Sequence, residues 1–233
     1  MSQELIDQAR AKGIKLKAVE PQTQMEVRLV ASLLCDWATG PNPEVGVPTF
    51  GSKRHEFVTK DMLVWAKRWG KGFSSCAYLG HWMLEMMGLR FPFVGRSGHQ
   101  DAPSNPVSRL AFSEYAENVD EDDTLALGDI LILGPGGNAH VCVVAFDFGD
   151  EIQTWDYGQG SPFEGPGGVD GRLRVRDAEA AHGGRWTEDE NGRKRAMLRF
   201  LDIWELWGMA EQLELRDECL IPEECYPNWR DRQ

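Results

Sequence analysis

The side chains in this chain that could do covalent chemistry are few: five cysteines and five histidines among 233 residues. The cysteines at 35, 76, 142, 219 and 225 are odd in number and lack Cys-x-x-Cys spacing. That pattern fits neither a disulfide framework nor a zinc ribbon, and it predicts free thiols. Cys76 differs from the rest because Phe73-Ser74-Ser75-Cys76-Ala77 sets it in the first turn of a predicted helix behind a serine cap. Unpaired N–H groups and the positive end of the helix dipole stabilise a thiolate there.

A nucleophilic thiol needs a base. His81 lies five positions on, about 140° round the same helix, and does not reach the thiol easily. His55, His99 and His182 sit in polar or Gly-rich surroundings and read as surface residues. His140 instead opens the apolar run Val141-Cys142-Val143-Val144-Ala145, where a strand can hold its ring against a cleft. A third group should fix the imidazole tautomer. Asp156 is the candidate: a turn at Gly149-Asp150 brings its β-prone segment back antiparallel, and a carboxylate among aromatic neighbours is costly unless paired. Asn138 and Asp147 stand next in line. Each residue also has a structural reading, as an inert buried thiol, a strand histidine and a solvated strand-end acid.

The elements that must position these groups follow from periodicity. Met25, Leu29, Leu33 and Trp37 recur every four residues, with Val27, Val30 and Leu34 beside them, until Thr39-Gly40-Pro41-Asn42-Pro43 stops the helix. A second helix is expected after Thr59 as N-cap, and a third from Gly72 to Gly88 with Leu79, Trp82, Met83 and Met86 inward. Phe91 to Asp123 reads as a long loop that borders the cleft and sets substrate choice. Strands are expected at Asp129 to Leu133, His140 to Phe148, Glu151 to Tyr157, Gly171 to Val175 and Met197 to Leu206. Helices first and strands later indicate an α+β domain. The tail from Glu211 onward is acidic, interrupted by prolines, and carries no function that its residues reveal.

Composition narrows the functional classes. Twenty-five basic against 37 acidic residues give a net charge of −12, which disfavours binding to nucleic-acid backbones or anionic lipid. Arg172, Arg174, Arg176 and Arg193-Lys194-Arg195 are the basic clusters, and acidic residues flank both. No run of apolar residues is long enough to span a membrane, and Met1 to Arg10 lacks the start of a secretory signal. Synthesis as a cytoplasmic protein is expected, with export by a signal-independent route left open. No metal is expected, because no His or Cys pair shows ligand spacing on one element and Asp120-Glu121-Asp122-Asp123 reads as a solvated loop. Gly134-Pro135-Gly136-Gly137 leads into a strand and reads as a hairpin turn, so no nucleotide cofactor is expected either.

Gly72-Phe73-Ser74-Ser75-Cys76, then Leu127-Gly128-Asp129-Ile130-Leu131, then Ala139-His140-Val141, then Trp155-Asp156-Tyr157 resemble, in that order, the papain-like cysteine hydrolases of the CHAP and NlpC-type amidase and endopeptidase group. The likeness spans residues 60–207. Ser75 stands where the family often has Asp or Asn, and Asp156 where it often has His, Asn or Glu. The resemblance implies a papain-like fold, with a helix-borne cysteine packed on an antiparallel sheet. The expected organisation is a helical extension over 1–59, for which the family offers no counterpart, a catalytic domain over 60–210 that the resemblance implies, and an acidic tail over 211–233. The resemblance further implies attack by Cys76 on an amide carbonyl, proton transfer by His140 and orientation by Asp156. The Cys76 N–H and one upstream donor would form the oxyanion hole; Trp65, Trp69 and Lys71 are near enough in sequence. The family's commonest substrate is the peptidoglycan stem peptide. A transglutaminase-like acyltransferase would use the same three residues, and a non-catalytic papain-like binding module would use none.

Overall fold

In a computed structural model the chain is described over residues 3–40, 52–59, 76, 78–90, 115–134, 140–157, 171–180, 184–189, 192 and 194–231. The described elements are α1 (Gln3–Ala11), β1 (Leu16–Val19), α2 (Gln24–Thr39), α3 (Lys53–Val58), α4 (Tyr78–Met86), β2 (Glu117–Asn118), β3 (Ile130–Leu133), β4 (His140–Asp147), β5 (Glu151–Tyr157), β6 (Gly171–Ala180), β7 (Arg185–Glu188), β8 (Lys194–Leu201), α5 (Ile203–Gln212), β9 (Cys219–Pro222) and α6 (Tyr226–Arg230). The architecture is α+β, with an antiparallel sheet and several helices.

The sheet runs β2-β8-β3-β4-β5-β6-β7, and β7 pairs with β8 as well. Strands β3 to β8 therefore close on themselves, which removes free edges. Alternation along each strand gives two faces. Ile130, Ile132, Val141, Val143, Trp155 and Tyr157 face the helices, in one buried cluster that extends from Leu5 to Trp229. Leu131, Leu133, Cys142, Val144, Ile152, Ala178 and Met197 form a second cluster inside the ring. A separate two-stranded sheet pairs β1 with β9, so Leu16–Val19 and Cys219–Pro222 hold the two ends of the chain together.

Helix α2 lies against the ring. Thr23 and Glu26 form a reciprocal capping box at its start. Its most buried row is Val27, Val30, Ala31, Leu34, Cys35 and Ala38, while Met25 is 80% exposed. The four-residue row read from sequence included Met25, but such a row precesses about 40° per step round a helix of 3.6 residues per turn and leaves the core at its end. Trp155 Nε1 donates to Asp36 (3.0 Å) and the Tyr157 hydroxyl to the Ala38 carbonyl (3.0 Å), which seats α2 on β5. Trp37 stacks on Trp82 at 5.7 Å, and Phe57 meets both rings edge-on, so aromatic contacts join α2, α3 and α4. Each such pair is worth about 0.5–1.5 kcal/mol beyond its buried area.

The Gly128-Asp129 pair at the start of β3 has a physical account. Gly128 has φ +89°, and a Cβ there would stand 2.8 Å from the Ala31 Cβ, so only glycine lets the strand start beside α2. Asp129 is buried and accepts from Arg28 Nη1 (2.7 Å), the Ala126 N–H (2.9 Å) and the Ile203 N–H (3.3 Å). Arg28 Nη2 also donates to Asp202 (2.9 Å), the N-cap of α5. The clamp ties α2, β3 and α5 together. Burial outweighs Arg28 and holds the Asp129 carboxyl up to about 6. Because its folded value lies above the unfolded one, its favourable contribution is present below about pH 4 and is lost as pH rises through about 6. In thermal melts, Asp129→Asn is accordingly expected to gain on the wild type between pH 4 and pH 7; a constant difference in Tm over that window would refute this.

Several sequence expectations need correction. The strand expected at Met197 to Leu206 is split, because Asp202 Oδ1 accepts from the Trp204 and Glu205 N–H groups and turns the chain into α5. Strand β7 was not anticipated, and β6 extends past Val175 to Ala180. Thr59 closes α3 as its C-cap, its hydroxyl donating back to the His55 carbonyl (2.8 Å), and the helix it was expected to open lies outside the described residues. His55, expected at the surface, is buried against Tyr157, with parallel rings 6.1 Å apart. Helix α4 ends at Met86, and Gly88, the expected stop, follows in the turn with φ +76°. The expected helix over 60–70, the serine cap at Ser74 and Ser75, the turn over 135–139, and His99 and His182 lie outside the described residues, as does most of the Phe91 to Asp123 segment. No helix among the described residues is long and apolar enough to cross a membrane.

Candidate functional site

Cys76 stands two residues ahead of α4, whose placement is set by packing. Gly80 packs against Ile130 of β3, where a Cβ would stand in ordinary van der Waals contact with Ile130 Cδ1 at 3.4 Å. Tyr78, Leu79, Trp82, Met83 and Met86 are buried beside it. The Cys76 thiol is thereby brought within hydrogen-bonding reach of His140, the first residue of β4. At 8% exposure it is the least enclosed of these groups, against 3% for His140 and 0% for Asp156.

Registry between β4 and β5 builds the rest. Cys142 pairs directly with Asp156, and Val144 with Thr154. With a side-chain period of two, His140 and Cys142 share the face that carries Thr154 and Asp156, inside the ring. His140 Nε2 hydrogen-bonds to Asp156 Oδ1. With its proton on Nε2, the imidazole would keep Nδ1 as the acceptor that a general base needs. The structure thus brings together the three residues singled out from sequence. It also places Asp147 elsewhere: its carboxylate forms a bidentate pair with Arg185 (2.5 and 2.8 Å) and accepts from the Leu125 N–H, which makes it a brace between β4 and β7. Asn138 lies outside the described residues. His81, 3.9 Å from Glu85, is a neighbour on its own helix.

Sequence reasoning missed three contributors. Arg176 on β6 donates from Nη2 to Asp156 Oδ1 (2.6 Å), and the Thr154 hydroxyl donates to Asp156 Oδ2 (2.6 Å). Arg176 Nε donates in turn to Thr154 Oγ1 (3.4 Å). The third is Cys142, across the strand from Asp156. In sequence, Arg174 and Arg176 read as part of a basic cluster flanked by acidic residues. Yet β6 turns them inward and leaves Leu173 and Val175 half exposed, the reverse of the usual pattern. The available signal was the alternation of Arg172, Arg174 and Arg176 with Leu173 and Val175, which marks one face of a strand. Arg174 pairs with Asp189 at 3.2 Å, so both buried guanidinium groups meet carboxylates.

Electrostatics within the cluster follow from these contacts. Burial opposes charge on Asp156, but the His140 hydrogen bond, the His140 and Arg176 charges and Thr154 together hold its carboxyl below the usual range. Burial likewise opposes charge on His140, and the contacts to Asp156 and Cys76 outweigh it and raise the imidazole. The other thiols are kept protonated. Burial, reinforced by Asp156, pushes Cys142 well up, and its sulfur faces the Leu131 carbonyl at 3.8 Å. Burial does the same at Cys35 and Cys219, and Cys225 is pushed up to about 12.

Ligating atoms of His140, Cys142 and Asp156 lie within 4.8 Å of one another. Ligand spacing on one element, read from sequence as lacking, is in fact met by His140 and Cys142, because residues two apart on a strand share a face. Arg176 already donates to the Asp156 oxygen that faces His140, which sets a fixed positive charge where a cation would sit. The cluster is better accounted for as an ion-pair and hydrogen-bond network around a thiol. Comparison with known proteins gives no match: no family model, no curated protein and no solved structure is significantly similar to this chain.

Proposed function

We propose that this chain is a cysteine amidase or peptidase of papain-like fold, resembling the CHAP and NlpC-type group, with Cys76 as nucleophile, His140 as general base and acid, and Asp156 as the group that orients the ring. One arrangement supports the reading: the thiol of Cys76 stands beside the buried imidazole of His140, whose Nε2 is hydrogen-bonded to the buried Asp156 carboxylate. Nucleophile, base and orienting acid in that order are the arrangement acyl transfer to sulfur needs.

In this mechanism His140 Nδ1 takes the Cys76 proton and the sulfur adds to the carbonyl carbon of an amide. The tetrahedral oxyanion collapses, the C–N bond breaks, and His140 returns the proton to the departing amine. A water molecule, deprotonated by the same imidazole, then attacks the thioester and releases the acid and the free thiol. The Cys76 N–H is one donor to the oxyanion. Trp65, Trp69 and Lys71, the sequence candidates near the second, lie outside the described residues. Peptide-like amides are the substrate class, with the peptidoglycan stem peptide as the form that the family resemblance favours.

Alkylation with iodoacetamide across pH tests the reading, with each cysteine followed by peptide mapping. Cys76 is expected to react rapidly below pH 7 while Cys35, Cys142, Cys219 and Cys225 stay unmodified in the folded protein, since burial keeps those four protonated. The fast phase should vanish in Cys76→Ser. Slow modification of Cys76 rising only above pH 8 would mark a non-catalytic module. With a peptide amide and a primary amine supplied together, release of the free acid supports hydrolysis; predominant amine incorporation would instead favour the transglutaminase-like alternative.

A further inference from the structure

We propose that Arg176 is a positioning residue that, from β6, fixes Asp156 as a carboxylate beside His140 and supplies the charge that balances the thiolate–imidazolium form of the Cys76–His140 pair. This deepens the amidase reading above and rests on it. Among the described residues, the groups of the cluster come from four places: Cys76 ahead of α4, His140 and Cys142 on β4, Thr154 and Asp156 on β5, and Arg176 on β6. Thr154 is neutral, and Cys142 stays protonated. Among the described residues, Arg174 and Arg185 are the other buried arginines of these strands, and they pair with Asp189 and Asp147. Among the described residues, charge in the cluster is therefore carried by Cys76, His140, Asp156 and Arg176.

Counting it gives the argument. With thiol and imidazole both neutral, the Asp156 carboxylate and the Arg176 guanidinium cancel. With thiolate and imidazolium, the two new charges also cancel. Proton transfer from Cys76 to His140 thus leaves a buried site neutral overall, where water cannot solvate an excess charge. Removing Arg176 changes both states by the same amount: each then carries one net negative charge. The site relieves it by binding one further proton, which charges His140 against Asp156 while Cys76 remains a thiol. The thiolate then forms only when that proton leaves, at higher pH.

The geometry fits this role. Arg176 side-chain exposure is 2%, and its Nη2 and Nε reach Asp156 and Thr154 respectively, so its guanidinium also fixes the angle of the carboxylate that holds His140. A merely structural arginine would affect stability without moving the pH at which the thiolate appears.

The experiment is the pH profile of Cys76 alkylation by iodoacetamide in the full chain, with melting followed for each variant. Arg176→Met is expected to raise the midpoint by at least about one pH unit, a loss of about tenfold in rate on the acid side. Arg176→Lys keeps the charge and should hold the midpoint within about half a unit of wild type. Thr154→Val removes one hydrogen bond to Asp156 without altering the charge count, so its shift should be smaller than that of Arg176→Met. An unmoved midpoint in folded Arg176→Met overturns the proposal, and so does an equal shift in Thr154→Val. Should Arg176→Met fail to fold, a full-unit rise in folded Arg176→Lys overturns it, and a midpoint kept there with only a small shift in Thr154→Val supports it. A wild-type protein without a fast phase below pH 7 overturns the amidase reading itself, which separates the two failures.

Discussion

Cys76→Ala is expected to abolish amide hydrolysis, lowering kcat by about ten-thousand-fold or more while the melting temperature stays close to wild type. The chemical argument is that the thioester cannot form without the sulfur. The structural argument is that trading a thiol for hydrogen removes one atom from a site at the edge of the core, where Cys76 is 8% exposed. His140→Ala should cost a similar factor. The double variant should cost little more than either, because nucleophile and base act as one unit and their losses do not add. Measured turnover of a peptide amide in all three decides the matter; appreciable activity in Cys76→Ala, checked for contamination by the double variant, would assign the chemistry elsewhere. His140, raised above the ordinary imidazole value, also places the alkaline limb of the profile above that value, since the departing amine needs an imidazolium to protonate it.

Asp156→Ala should have the largest effect on stability. It leaves the Arg176 guanidinium buried without its carboxylate, and removing one partner of a buried pair costs about 3–5 kcal/mol. In a chain of this size that lowers the melting temperature by about 10 °C. Turnover should fall less than in Cys76→Ala, because an imidazole released from Asp156 still finds the productive orientation part of the time. The informative comparison is Asp156→Ala with Arg176→Met. Removing both charges should cost less stability than removing Asp156 alone, since no unpaired ion is left. Equal or greater destabilisation in the double variant would show that the two side chains do not act as a pair.

Along the chain, local pattern gives most of the elements around the candidate site and the order of its three residues. Gly128-Asp129 opening a strand, His140 beginning the next and Asp156 within the one after are legible from composition and spacing, whereas Cys76, expected in the first turn of its helix, stands two residues ahead of it. They are local facts: a helix stripe, a turn at Gly149 and a run of β-branched residues each depend on a few neighbouring side chains. Met25 and the segment Met197 to Leu206 show the limit even of local reading. A four-residue row drifts off the buried face, and a single Asp at an N-cap converts a strand pattern into a helix.

Only the tertiary structure decided which side chains share a face and what surrounds them. The closure of β7 onto β8 gives the sheet an interior, and an interior makes inward arginines something other than a basic patch. Arg176 meets Asp156 across twenty residues of chain, and Arg28 meets Asp129 across 101. Such pairs leave no trace in spacing, because a charged residue reads the same in sequence whether it faces water or a buried partner. What separates the two is the cost of removing a charge from water, and that cost arises only once the surrounding strands have closed over it.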